Sequence, residues 1–161
     1  MKRLAYRFTV PIVLSLVCAS ANAADKLPFT LTISGPDSVT VGDEIKINAV
    51  LRNVSNQTAG ITWGVRHIVL IHDEKGDTPL PKPGLRLWAG SSGHLSLAPG
   101  QTSSQYIVVS GERSEYELTR PGKYVVQLQR PMDDVGYPEG SVVESNKITI
   151  TIVPKPPGGL K

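Results

Sequence analysis

The chain has 161 residues, with 17 Lys and Arg against 14 Asp and Glu, 15 Gly, 13 Pro and a single Cys. Aromatic residues make up 6% and charged residues 19%, which is too apolar for a disordered chain and too lightly charged for a coiled coil. The length fits one small globular domain.

Residues 1–23 read as a secretory signal peptide. Lys2, Arg3 and Arg7 precede the apolar run TVPIVLSLV at 9–17, and Ala21-Asn22-Ala23 supplies small residues three and one before a cut. The run is about half of the ~20 residues that a membrane-spanning helix needs, which argues against an uncleaved anchor. Lipidation at Cys18 asks for a small residue directly before the cysteine, and Val17 is too bulky for that pattern. The mature form is therefore expected to be exported, periplasmic or secreted, and not membrane-spanning. Cleavage after Ala23 leaves a chain without Cys, which removes disulfides, thiol catalysis and thiolate metal sites.

The formal net charge of +3 resides in that same segment, because it holds three of the basic residues and none of the acidic ones. The remainder is charge-balanced, and its Lys and Arg are scattered from Lys26 to Lys161 with no two adjacent. A nucleic-acid partner requires a clustered basic face. None is expected.

From Phe29 onward the apolar period is two. Phe29, Leu31 and Ile33 alternate with Thr30, Thr32 and Ser34; after a Gly35-Pro36-Asp37-Ser38 turn, Ile45, Ile47, Ala49 and Leu51 alternate with Lys46, Asn48, Val50 and Arg52. Such alternation puts one face on a core and the other in water, as in antiparallel strands. The run ITWGVRHIVLIH at 61–72 is apolar on both faces and reads as one long central strand. A Pro/Gly-rich stretch follows at 78–93, with at most a short strand at 85–88. Further strands are expected at 95–97, 105–109, 124–129 and 147–153, and a single helical turn within 114–120. About seven strands separated by Gly/Pro turns predict an all-β, two-sheet antiparallel sandwich over residues 27–153. Residues 154–161 (PKPPGGLK) read as a flexible Pro/Gly-rich tail, since Pro cannot donate to a ladder.

Val41-Gly42-Asp43, Leu51-Arg52-Asn53, Leu97-Ala98-Pro99-Gly100, Pro121-Gly122-Lys123-Tyr124 and Ile148-Thr149-Ile150 together resemble an immunoglobulin-like sandwich of bacterial exported proteins. The segment SEYELTRPGKY at 114–124 is similar to the stretch before a late strand in the β-domain that accompanies deuterolysin-type metallopeptidases. Those enzymes carry a His-Glu-x-x-His helix in a separate catalytic domain. This chain lacks that motif, so the resemblance implies an accessory or binding fold and transfers no catalytic residue.

His67, His72 and His94 are the only imidazoles. Placed five apart on one strand, His67 and His72 would face opposite ways and could not share a metal. His72-Asp73-Glu74 reads as a polar strand end, and Ser91-Ser92-Gly93-His94 as loop composition, because no Gly-x-Ser-x-Gly elbow accompanies it. Asp43-Glu44, Asp133-Asp134 and Glu139 read as solvated turn carboxylates rather than a calcium loop. Asn53-Val54-Ser55 and Asn56-Gln57-Thr58 read as ordinary turn residues. No catalytic residue, metal or cofactor is expected.

The best surface candidate is the excursion from Pro79 to Leu95, with Arg86, Trp88 and His94 as partner-binding residues. Long loops on a rigid sandwich often carry binding, and Trp and Arg are strong anchors. The reading favoured for Trp88 itself is that it caps an open end of the core. The expected function is a non-enzymatic one: an exported binding or interaction module that recognises a protein or polysaccharide through loops or a free sheet edge. The alternative is a regulator of a secreted hydrolase, akin to a peptidase inhibitor or pro-domain.

Pro121, Gly122 and Tyr124 are expected to be structural. Pro121 presets φ, Gly122 permits a positive φ, and Tyr124 buries its ring while its hydroxyl reaches a backbone group at the corner. Tyr124→Phe is expected to cost about 1 kcal/mol in chemical denaturation. An unchanged midpoint with the wild-type slope contradicts that role.

Overall fold

The computed structural model describes residues 27–63, 67–82, 93–112, 114–132 and 137–156. Along them run β1 (Phe29–Ser34), β2 (Ser38–Thr40), β3 (Ile45–Asn53), β4 (Ala59–Trp63), β5 (Ile68–Asp73), β6 (Gly93–Leu97), β7 (Thr102–Ser110), β8 (Gly122–Pro131), β9 (Val142–Glu144) and β10 (Ile148–Val153). Strands β1, β3 and β7 form one sheet in that order. Strands β2, β10, β8 and β5 form a second, with β9 also on β8, while β4 and β6 make a separate two-stranded ladder. The chain is an all-β sandwich.

The period-two pattern accounts for the core. In β1 and β3 every apolar position of the alternation is buried, and β8 sends Tyr124, Val126 and Leu128 inward on the same rule. These meet Ile71 from β5 and Ile150 and Ile152 from β10 in one cluster. Each fully buried Leu, Ile or Val contributes roughly 1.5–3 kcal/mol.

The first strand leads from one sheet into the other. Gly35-Pro36 ends β1, since Pro offers no N–H to its ladder, and the chain crosses to the second sheet as β2. There β2 pairs with β10 in parallel, tied by Thr151 N–H to the Asp37 carbonyl at 2.9 Å and Val41 N–H to the Val153 carbonyl at 2.9 Å. On the far flank of β8, strands β9 and β10 lie end to end, opposite Gln129–Pro131 and Gly122–Val126 respectively.

The break between them is filled by side chains. Leu128 N–H donates to Ser145 Oγ at 2.9 Å, while Ser145 N–H donates to the Leu128 carbonyl at 2.9 Å. A hydroxyl thus stands where a backbone carbonyl would accept. The next residue, Asn146, turns toward β1: its Oδ1 accepts from Ile33 N–H at 2.7 Å and its Nδ2 donates to the Ile33 carbonyl at 3.1 Å. Leu31 forms a parallel bridge with Ser145 beside it. One amide side chain therefore completes the ladder that joins the two sheets.

Several sequence expectations are corrected. The described residues hold ten strands rather than about seven, because β2 and β9 are three residues long and sit among turn residues. One pairing is parallel, not antiparallel. The run 61–72 is not one central strand: β4 pairs with β6 and β5 with β8, and residues 64–66 between them lie outside the described residues. An apolar run records burial without recording which sheet supplies it. Residues 114–120 hold no helical turn. They are pinned instead by Ser114 Oγ donating to the Val109 carbonyl and by Leu118 N–H donating to Ser110 Oγ at 2.9 Å. The 1–23 segment and residues 157–161 of the tail lie outside the described residues; 154–156 are exposed and unpaired with any strand.

Candidate functional site

Of the three residues expected to bind a partner, His94 lies exposed on β6 opposite Thr62 of β4. Arg86 and Trp88 lie outside the described residues. Among the described residues, the excursion is held at its start by Lys82 N–H donating to the Glu115 carbonyl at 2.7 Å and at its end by β6.

The other polar signals resolve into structural corners. Asn53 ends β3 with 0% exposure. Its Nδ2 donates to the Gln57 carbonyl at 2.7 Å and the Leu97 carbonyl at 2.8 Å, and its Oδ1 accepts from Ser55 N–H at 2.9 Å and Ser55 Oγ at 2.8 Å. Gly100, at φ 76°, donates its N–H to the Asn53 carbonyl at 2.9 Å, a turn conformation that suits glycine. The Leu51-Arg52-Asn53 and Leu97-Ala98-Pro99-Gly100 motifs are thus two halves of one corner. An amide so enclosed is no acceptor for a sugar in the folded chain.

At the opposite corner Tyr124 is buried, and its hydroxyl donates to the Arg120 carbonyl at 3.1 Å. Gly122 there has φ 151°, in the region that favours glycine. His72 and Asp73 end β5 and hold the turn after it. Asp73 Oδ1 accepts from the N–H groups of Lys75 at 2.8 Å and Asp77 at 2.9 Å, and His72 Nδ1 lies 3.2 Å from Thr78 Oγ1. A groove of about 350 Å³ runs past this turn, lined also by Glu117, Arg120 and Tyr124. Glu44 is paired with Lys46 at 2.6 Å on the surface. Among the described residues, no group of three His, Asp or Glu is placed to hold a metal ion.

A buried polar cluster escaped the sequence reading. Arg130 continues the inward alternation of Tyr124, Val126 and Leu128 and is 3% exposed, with its guanidinium donating to the Thr62 carbonyl. Extending the β8 period by one step would have found it. Beside it His67 precedes β5 rather than lying on it, which removes the premise that His67 and His72 share a strand. The Gln105 amide nitrogen lies 2.9 Å from His67 Nδ1. A void of about 10 Å³, also lined by Ile61 and Leu51, separates these groups. It has room for about one water. The buried Thr62 Oγ1 has no hydrogen-bond partner among the described residues.

The outer face of the β1-β3-β7 sheet presents three cross-strand rows: Ser34, Asn48 and Tyr106; Thr32, Val50 and Ser104; Thr30, Arg52 and Thr102. Tyr106 is 77% exposed there. Its residue type is conspicuous among short hydroxyl side chains.

No family model matches the chain, and no match was found among curated proteins. The chain is similar to the CARDB domain of a Pyrococcus furiosus protein solved in complex with di-metal ions, at 15% identity and a TM-score of 0.46, over 79% of this chain and 94% of that one. It is also similar to a β-glucosidase from Listeria innocua in complex with glucose, at 14% identity and a TM-score of 0.43. That match covers 77% of this chain and 16% of the enzyme. At these values the likeness carries no argument about ligand or activity, and the sandwich stands on its own strand pairings.

The buried cluster has a pH signature. Burial, and secondarily the Arg130 charge, lower the His67 pKa from 6.5 to about 4. The folded chain therefore keeps His67 neutral where the unfolded chain begins to bind a proton. Stability should be unaffected by this group above pH ~6.5 and fall as pH drops from there toward 4, by at most about 3 kcal/mol. His67→Gln is expected to flatten that limb in denaturation midpoints measured across pH 4–7. An identical pH dependence in the variant contradicts the assignment.

Proposed function

We propose that the chain is an exported, non-catalytic immunoglobulin-like interaction module. The observation that carries this reading is where its reactive-looking groups are engaged. Asp73, His72, Asn53, Ser114, Ser145 and Asn146 all hydrogen-bond within the fold, and each does so to close a turn or complete a ladder. General acid–base or nucleophilic work needs such a group aimed at a reacting atom with its partner behind it. What the sandwich offers outward is a rigid sheet face and the strand-end loops, the usual carriers of recognition on this architecture. The signal-like segment 1–23 supports an extracytoplasmic setting.

The test is affinity capture from a bacterial envelope extract with the purified chain as bait, followed by identification of the retained component and assay of its fate. The expected result is selective retention of a component that is recovered chemically unchanged. Turnover of the retained component by the chain overturns the non-catalytic reading. A retained secreted peptidase that loses activity on binding replaces it with the regulator reading.

A further inference from the structure

Resting on the reading of the chain as an interaction module, the geometry points to the outer face of the β1-β3-β7 sheet as the site for an acidic polysaccharide. Tyr106 carries the argument. It projects from the middle of β7 with 77% of its surface exposed, beside Asn48 in its own row and Ser104 two residues before it. Nothing in the fold requires a large ring at this position, because the side chain points away from the core that Val109 and the partly buried Ile107 join from the same strand. An exposed ring flanked by short side chains is a platform: the apolar face of a sugar lies flat on it, while the sugar's hydroxyls remain free to hydrogen-bond sideways.

The surroundings fit the rest of such a ligand. Ser34, Thr32, Ser104 and the Asn48 amide can both donate and accept, which matches hydroxyl-rich chains better than apolar ones. Strand geometry puts Lys46 and Arg52, six residues apart on β3, about 20 Å from one another along the face, so the face is long enough for an extended chain. Its charge is one-sided. Among the described residues, the outward positions of these three strands include Lys46 and Arg52 and no carboxylate, whereas the second sheet carries Glu144 on β9. Glu44 at the end of the face neutralises Lys46 at 2.6 Å, whereas the exposed Arg52 has no ion pair among the described residues. A guanidinium pairs with a carboxylate through two parallel N–H···O bonds, and this selects a uronate-bearing chain over a neutral one. A protein partner is the poorer fit. Stable protein interfaces bury about 800 Å² per side around several apolar anchors, and this face offers a single ring.

Native electrophoresis of the purified chain through gels cast with polygalacturonate, or with neutral dextran, tests the assignment. Polygalacturonate is expected to retard the chain, dextran is not, and added salt should relieve the retardation. Tyr106→Ala and Arg52→Gln should each weaken it by about fivefold with unchanged melting temperature, while Lys123→Gln on the other sheet should leave it intact. Tyr106→Phe is expected to retain most of the retardation, since the ring face does the stacking. No retardation of the wild-type chain, or equal retardation of Tyr106→Ala, overturns the proposal. Loss of an envelope protein from the capture experiment on Tyr106→Ala, without polygalacturonate binding, overturns it too and leaves the interaction-module reading standing.

Discussion

A two-sheet sandwich has to close along its sides, and here closure depends on a side-chain amide that acts as a piece of backbone. Ile33 lies on the outer edge of β1, where its N–H and C=O would face no strand of the first sheet. Asn146 answers both with one acceptor and one donor, the pair of groups that a peptide unit would supply. It can do so only because Ser145, one residue earlier, substitutes its hydroxyl for a ladder carbonyl and lets the chain bend away from β8. Leaving both Ile33 groups without partners would cost a few kcal/mol, comparable to a substantial fraction of the total stability of a domain this size. The edge of β1 is thereby withdrawn from pairing with other chains, a protection that exposed edges commonly need.

The same logic recurs at both ends of the molecule. Asn53 binds the first corner, the Tyr124 hydroxyl and Gly122 shape the second, and the hydroxyls of Ser110 and Ser114 hold the crossing between β7 and β8. Without disulfides after residue 23, the apolar core is supported at these described corners by polar side chains that satisfy backbone groups. In the cluster around Arg130 and His67, a charge and an imidazole also lie close together inside the sandwich. Burial, with the Arg130 charge beside it, disfavours protonation of the His67 ring, so stability is lost here as the pH falls below about 6.5.

The core strands were legible in the sequence because period-two alternation is itself a consequence of burial on one face. β1, β3, β8 and β10 are found by it. The run from Ile61 to His72 was not, since its two ends pair in different ladders and nothing in their order marks the change. Short strands such as β2 and β9 leave too few residues for a period to show. Asn53 was readable only as a turn residue and Asn146 carried no signal: their roles depend on partners 44 and 113 positions away, and such distance leaves no trace in local composition. Tyr106 was readable as one member of a strand, but its exposure follows from register across three strands. Residue type and spacing therefore disclosed the layers, while the exposed face proposed for recognition emerged only from how the layers align.

Hydrogen exchange at the Ile33 amide probes the closure most directly. If Asn146 completes the ladder, that amide exchanges only through global opening in the wild-type chain, among the slowest of all, and in Asn146→Ala it exchanges orders of magnitude faster while the β3 amides facing β7 keep their relative protection. An Ile33 amide that exchanges in the wild-type chain as rapidly as a solvent-exposed edge group would contradict the account.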